Sequence, residues 1–132
     1  MIFKQLFEPV SSTYTYLLGC EETGLALLID PVLPTWERDL AAVNALGLKL
    51  AYTVETHIHA DHITSAKKLK QVAGSKIAGP ALDALPCTDT GIVDATPFRM
   101  GSVTLTPIHT PGHTDNHFAY FHAGRLYTGD AL

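Results

Sequence analysis

Apolar runs and alternating stretches along the chain predict a mixed protein of strands and two helices. Leu25–Ile29 is continuously apolar, which is typical of a strand buried on both faces, whereas Val103–His109 alternates like a strand with one wet face. Apolar residues recur at helical spacing from about Thr35 to Leu46 and again after the residue at position 62. A strand, a helix and a strand over residues 25–55 imply parallel pairing, so the predicted fold class is α/β.

Other predicted strands are rich in β-branched or aromatic residues and are bounded by turn residues. The stretch Gly79–Phe98 is instead dominated by turn residues and predicts a connection without regular structure. Gly47 and Gly74 are expected to end the two helices. The remaining predicted strands are Ile2–Glu8, Thr13–Leu18, Leu50–Glu55, Lys76–Ala78, Phe118–Phe121 and Arg125–Thr128.

A cluster of metal-binding residue types follows the predicted strand Leu50–Glu55. Residues 56–62 read Thr-His-Ile-His-Ala-Asp-His, and imidazole and carboxylate are ligands that zinc, iron and manganese accept. Alternate side chains of an extended backbone point the same way, so His57 and His59 can share one face. Asp61 and His62 fall where the next helix is expected to begin. The cluster is therefore a candidate metal site that needs ligands from elsewhere in the chain.

Ligand-type residues recur at the ends of predicted strands, which is where functional groups gather in α/β sheets. Asp30 ends one strand, His109 and His113 follow another, and Asp130 comes after the last. The Pro-Gly step before His113 constrains its loop. We expect the fold to bring these strand ends to the histidine cluster.

Two kinds of metal site are compatible with these residues. His57, His113 and Asp130 give two imidazoles and one carboxylate, the facial triad of a mononuclear non-haem Fe(II) site. Alternatively, His59 adds to one metal, Asp61 and His62 hold a second, and Asp130 lies between them. Such a pair of zinc ions would suit hydrolysis by a bridging hydroxide. The remaining histidines have lesser roles: His109 and His117 are predicted packing or supporting residues, and His122 a hairpin surface residue.

Composition narrows the class of protein. The 132 residues, 46% hydrophobic and 17% charged, suit one soluble globular domain, and the formal charge of −4 gives no basic surface for nucleic acid. No apolar run approaches the roughly 20 residues of a membrane-spanning helix, and the N-terminus does not resemble a signal peptide. Cys20 and Cys87 are isolated, as expected of reduced, inert thiols in the cytoplasm. We therefore expect a cytoplasmic protein without nucleic-acid or membrane partners.

The histidine cluster resembles a known signature. Residues 56–62 match the His-x-His-x-Asp-His motif of the metallo-β-lactamase superfamily. Thr-Pro-Gly-His-Thr at 110–114 and Gly-Asp at 129–130 match its next two motifs in order and spacing. Within that superfamily the chain is most similar to the persulfide dioxygenases, also called sulfur dioxygenases. The stretches that carry this likeness are Phe3–Leu18, Leu28–Val32, Glu55–Thr64 and Thr128–Leu132.

The resemblance implies an αββα sandwich and a single Fe(II) held by His57, His113 and Asp130. It also implies oxidation of glutathione persulfide by O₂ to sulfite and glutathione. His59, Asp61 and His62 would then orient the ligands and water rather than bind the metal. The implied partners are this small-molecule substrate and O₂, and a homodimer is compatible with them.

The position of the aspartate motif sets an expectation about the domain. A complete domain of this superfamily runs roughly another hundred residues past that motif, so residues 1–132 are expected to be its N-terminal half to two-thirds. Two alternatives stay open. One is a glyoxalase II-type thioesterase (a hydroxyacylglutathione hydrolase) with a dinuclear zinc site, and the other is a non-catalytic fragment of such an enzyme. Zinc, as one or two ions, is the alternative to iron.

Overall fold

Two β-sheets of unequal width face each other, and the described helices pack against the wider one. The computed structural model describes residues 2–9, 13–56, 65–80, 88–110, 118–122 and 124–127. The six strands of the wider sheet are β1 (Ile2–Glu8), β2 (Thr13–Cys20), β3 (Leu25–Ile29), β4 (Lys49–Val54), β5 (Lys76–Pro80) and β6 (Thr90–Ile92). The narrower sheet contains β7 (Phe98–Met100), β8 (Val103–His109), β9 (Phe118–His122) and β10 (Arg125–Tyr127). The α-helices of the described residues are α1 (Trp36–Ala45) and α2 (Ala66–Ala73), and a short 3-10 helix, Leu33–Thr35, precedes α1.

Strand pairing confirms the predicted α/β class. In the wider sheet β1, β2 and β3 pair antiparallel in order, and β3, β4, β5 and β6 then pair parallel. Helix α1 connects β3 to β4, as expected for the strand, helix and strand at 25–55. The narrower sheet is antiparallel throughout, in the order β10, β9, β8, β7.

Two apolar layers hold these elements together. One lies between the sheets and the other between the wider sheet and the helices, so strands of the wider sheet are buried on both faces, as the continuous run at 25–29 predicts. The layer between the sheets includes Leu18, Leu27, Ile29, Val54, Val103, Leu105, Phe118 and Tyr120. The layer beneath the helices includes Leu17, Leu28, Val43, Leu50 and Leu69.

The outer face of the narrower sheet carries exposed apolar side chains. Ile108, Phe121 and Leu126 are each more than two-fifths exposed, and Leu126 lies directly opposite Phe121 in the β9–β10 ladder. Within the described ranges, no helix packs on this face. The described part of the chain thus accounts for three layers of the expected αββα sandwich.

Both helices end where glycine was predicted to end them. Gly47 follows α1 and Gly74 follows α2, each with a positive φ that suits glycine. Helix α2 begins at Ala66 rather than near position 62, and its residue Val72 is exposed. Neither of these described helices is long and apolar enough to cross a membrane.

The prediction of an irregular connection over residues 79–98 is partly wrong. Strand β5 continues to Pro80, and β6 adds three residues to the edge of the wider sheet. Asp89 fixes this edge, because its main-chain N–H donates to Ile77 O and its carboxylate accepts from Ile77 N and Lys70 Nζ, all between 2.7 and 2.8 Å. A three-residue strand held by a side chain gives no alternation that a sequence pattern could reveal.

The turn between β7 and β8 packs against the end of β2. Cys20 Sγ accepts hydrogen bonds from Ser102 N (3.3 Å) and Ser102 Oγ (3.2 Å). Gly101 has a φ of 59°, and a Cβ added there would lie 2.7 Å from Cys20 Sγ and 2.8 Å from Thr23 Cγ2. This junction between the sheets therefore leaves no room for a side chain at position 101.

The variant Gly101→Ala should be markedly less stable than a matched glycine variant. Gly24 has a φ of 70° with nothing within 4 Å of an added Cβ, so Gly24→Ala meets only the backbone penalty of about 1 kcal/mol. Gly101→Ala adds an overpacking cost of about 1–3 kcal/mol. Urea unfolding of the two variants measures the difference between their free energies of unfolding. If both variants lost the same free energy relative to the unsubstituted protein, the contact around position 101 would relax without cost.

Candidate metal centre

The six predicted metal-site residues lie outside the described ranges, but the residues that flank them are described. His57, His59, Asp61 and His62 belong to residues 57–64, and His113 and Asp130 to residues 111–117 and 128–132. His117 and Cys87 also lie outside the described ranges. The structure therefore establishes the described residues that flank these segments, such as Thr56, Ser65 and Phe118, together with the residues that hydrogen-bond to them. We call this set of residues the frame.

Asp30 is the centre of this frame. It follows β3 directly, is buried (4% exposed), and has a φ of 54°, a left-handed conformation that aspartate tolerates better than most residues. Its Oδ1 accepts from Thr56 N and its Oδ2 from Thr56 Oγ1, both at 2.8 Å. The carboxylate thereby fixes Thr56, the last described residue before the histidine cluster.

The main chain of Asp30 is anchored on both sides. Asp30 N donates to Val54 O at 2.8 Å, and Thr15 Oγ1 donates to Asp30 O at 3.0 Å. These bonds connect β2, β3 and β4 at one end of the wider sheet. The left-handed turn at Asp30 is thus supported by two neighbouring strands.

The chain returns to the same place after the cluster. Ser65, the next described residue after Thr56, donates its main-chain N–H to Pro31 O at 3.2 Å. The described residues on either side of positions 57–64, Thr56 and Ser65, are therefore both hydrogen-bonded to the dipeptide Asp30-Pro31.

The narrower sheet meets this frame at the start of β9. His109 and Phe118 form the last pair of the β8–β9 ladder, so β8 ends and β9 begins at the same end of the narrower sheet. Phe118 N donates to Thr56 O at 2.7 Å. The segment that contains His113 therefore ends beside the residue that precedes His57.

Strand β10 ends on the same side. Tyr127 pairs with Tyr120, two residues along from Phe118, and β10 runs antiparallel to β9. The C-terminal end of β10 consequently lies towards the end of the sheet at which β9 begins. The segments that carry the predicted ligands thus adjoin strand ends grouped around Thr56.

Two described histidines refine the sequence predictions. His109 is half-buried with its ring 5.2 Å from that of Phe118, which agrees with a packing role. His122 was predicted on the surface, but it is half-buried and its Nδ1 lies 2.7 Å from Thr104 O. This contact holds the ring beside the main chain of Thr104 in β8.

Sequence reasoning missed the polar residues that build the frame. It selected Asp30 as a strand-end carboxylate but not its partner Thr56, nor Tyr120, whose hydroxyl donates to Glu55 O at 2.7 Å. The only signal at Tyr120 is a residue with a polar tip at an inward position of a buried strand.

Within the described residues, no three histidine, cysteine or acidic side chains are close enough to hold a metal ion. The donor set proposed from the sequence, two imidazoles and one carboxylate, is chemically suited to Fe(II) with open positions. The carboxylate of Asp30 accepts two hydrogen bonds from Thr56 and so anchors the residue that precedes the histidine cluster.

The frame and the two facing sheets define a class of protein. The model of the metallo-β-lactamase superfamily matches residues 9–132, and the chain belongs to this superfamily. Its fold is the metallo-β-lactamase fold.

Within the superfamily the chain is similar to persulfide dioxygenases. It is 41% identical, over its whole length, to the human mitochondrial persulfide dioxygenase ETHE1 and covers 53% of that protein. The crystal structure of ETHE1 from Myxococcus xanthus matches the whole chain at a TM-score of 0.95 and 42% identity, and the chain covers 58% of it. A hydroxyacylglutathione hydrolase from Rhodospirillum rubrum is 38% identical over 93% of this chain and 49% of its own length. The chain thus spans about half the length of the curated relatives it matches.

Proposed function

We propose that the chain carries the metal-binding part of a persulfide dioxygenase, which oxidises glutathione persulfide with O₂. One persulfide, one O₂ and one water give glutathione, sulfite and two protons. The observation that carries the proposal is the match over the whole chain to proteins named persulfide dioxygenases. The activity of the whole protein is part of the proposal, since the chain spans about half the length of those relatives.

In this proposal His57, His113 and Asp130 hold one Fe(II) per chain. When bound, ferrous iron supplies open coordination positions for the persulfide sulfur, O₂ and water. His59, Asp61 and His62 orient the ligands and nearby water by hydrogen bonds. The hydrogen bonds from Thr56 N to Asp30 Oδ1 and from Phe118 N to Thr56 O support it, because they anchor the chain just before the first proposed ligand.

A second candidate function is hydrolysis of a glutathione thioester at a dinuclear zinc site. The 38% identity to a hydroxyacylglutathione hydrolase over 93% of the chain favours it. In that enzyme class His59, Asp61 and His62 would bind zinc directly, together with His57, His113 and Asp130. A third candidate is a non-catalytic chain that binds metal but needs further residues for a substrate pocket.

The partners of the protein and its location in the cell are also part of the proposal. Its partners are glutathione persulfide and O₂, and a homodimer is compatible with the proposal. The cytoplasm remains a prediction from the sequence; the human relative is named as a mitochondrial protein.

Metal content and substrate turnover test the proposed function together. The protein, reconstituted anaerobically, is expected to retain about one iron per chain and then to consume O₂ and release sulfite when glutathione persulfide is added. Two zinc ions per chain with hydrolysis of S-lactoylglutathione would contradict the dioxygenase and support the hydrolase. Iron binding without either turnover would support the non-catalytic alternative.

A further inference from the structure

Two hydrogen bonds join the sheets at the end that carries the proposed ligands. Phe118 N donates to Thr56 O, and Tyr120 Oη donates to Glu55 O, each at 2.7 Å. Phe118 and Tyr120 belong to β9 of the narrower sheet, whereas Glu55 and Thr56 continue β4 of the wider one. Apolar packing alone would leave the sheets free to make small shifts, and these directional bonds fix their register here.

The peptide group between Glu55 and Thr56 is held from both sheets. Its carbonyl oxygen accepts from Tyr120 and its N–H donates to Asp30 Oδ1. Because a peptide group is planar, contacts at its oxygen and its nitrogen set the orientation of the whole unit. The next carbonyl, Thr56 O, is held by Phe118 N. The two consecutive carbonyl groups before position 57 thus have partners on β9.

The Tyr120 hydroxyl is constrained to act as a donor. Tyr120 is fully buried, and burial, followed by the negative charges of Asp30 and Glu55, raises its pKa well above the usual value. The phenol therefore stays protonated at neutral pH and keeps its bond to Glu55 O. A phenylalanine would fill the same space, so the hydroxyl's distinct contribution is this hydrogen bond.

We propose that Tyr120 is a positioning residue for the metal centre, whose hydroxyl sets the separation between the chain entering the His57 segment and the strand leaving the His113 segment. The proposal rests on the proposed function only in that both histidines bind the same metal. A metal with three protein donors is sensitive to the spacing of those donors, and residues that support ligands affect affinity about 10- to 100-fold. Loss of the hydroxyl would let the two segments shift relative to each other.

The chain offers a matched control in Tyr127. This residue lies opposite Tyr120 in the β9–β10 ladder and is also buried, but its hydroxyl has no hydrogen-bond partner among the residues that the structure describes. Tyr120→Phe and Tyr127→Phe therefore remove the same atom from neighbouring buried positions. Only the first removes a bond between the sheets.

The experiment compares the two variants by amide hydrogen exchange and by chelator competition with Fe(II) and Co(II). Tyr120→Phe is expected to speed exchange at the amides of Thr56 and Phe118 by about tenfold, with the amides of Leu27 and Leu28 unchanged. It should also weaken metal affinity about tenfold. Tyr127→Phe should leave both quantities within about twofold of the unsubstituted protein, since no bond is lost.

The outcomes separate this inference from the proposed function. Equal metal affinities for the two variants would overturn the positioning role, as would exchange at Thr56 and Phe118 that is no faster in Tyr120→Phe. A protein that binds neither metal would refute the proposed function instead. The exchange rates would then still decide whether the Tyr120 hydroxyl holds Glu55 and Thr56 against β9.

Discussion

Replacing Asp30 by alanine is expected to lower the free energy of unfolding by about 4 kcal/mol. The variant should also no longer bind metal as tightly as the unsubstituted protein. The Asp30 carboxylate is the acceptor for both Thr56 N and Thr56 Oγ1. Since Thr56 is completely buried, both donors would remain without this acceptor and away from water. Urea unfolding measures the first effect, and chelator competition with Fe(II) measures the second.

The size of the effect follows from its parts. Each buried donor left unsatisfied costs about 1–3 kcal/mol, with the larger values for bonds to charged groups. Alanine at a φ of 54° adds about 1 kcal/mol, because a Cβ without a polar group disfavours the left-handed region. Metal binding is lost through a different route, because Thr56 leads directly into the segment that begins with His57.

Two further variants test this explanation. Asp30→Asn keeps the shape, tolerates the positive φ and still offers one acceptor, so it should cost only about 1–2 kcal/mol. Asp89→Asn is the matched control, because the Asp89 carboxylate also accepts a main-chain N–H at 2.8 Å but is exposed to solvent. It should cost less than about 1 kcal/mol. If Asp30→Ala were no more damaging than Asp89→Asn, the bonds to Thr56 would not govern this end of the sheet.

The sequence predicts those parts of the fold whose signal is local. The long strands and the ends of both helices show periodicity or a terminal glycine within a few residues, and the structure confirms them to within about two residues. Strand β6 has only three residues, Thr90–Ile92, and is defined by its partner β5. Three residues cannot display an alternation, so the sequence alone could not reveal that edge of the sheet.

The frame of the candidate site divides in the same way. Asp30 could be selected from the sequence because a strand end followed by proline is a local signal. Its bond to Thr56 spans 26 positions and the bond from Tyr120 to Glu55 spans 65, so neither leaves a pattern in a short window. The proposed ligands can therefore be predicted from sequence motifs, whereas the groups that position them can be identified only once the packing of the sheets is known.

The four ligand-type side chains of residues 57–62 are proposed to have unequal roles, and single substitutions would separate them. His57→Ala removes one of three proposed iron donors and should eliminate bound iron after dialysis against a weak chelator. His59→Ala and His62→Ala remove groups that only orient the ligands, so they should retain one iron per chain with an affinity about 10- to 100-fold lower. Metal analysis after anaerobic reconstitution measures both the stoichiometry and the loss.

His122→Ala is the control for this series, because His122 lies at the opposite end of β9 from Phe118, with its ring against Thr104 O. It should bind iron as the unsubstituted protein does.

The decisive comparison is His62→Ala in zinc-reconstituted protein. If one metal fills the site, His62→Ala and the unsubstituted protein both retain one zinc. A fall from two zinc ions to one would show that His62 holds a second metal, because removal of an orienting group weakens affinity without deleting a binding position.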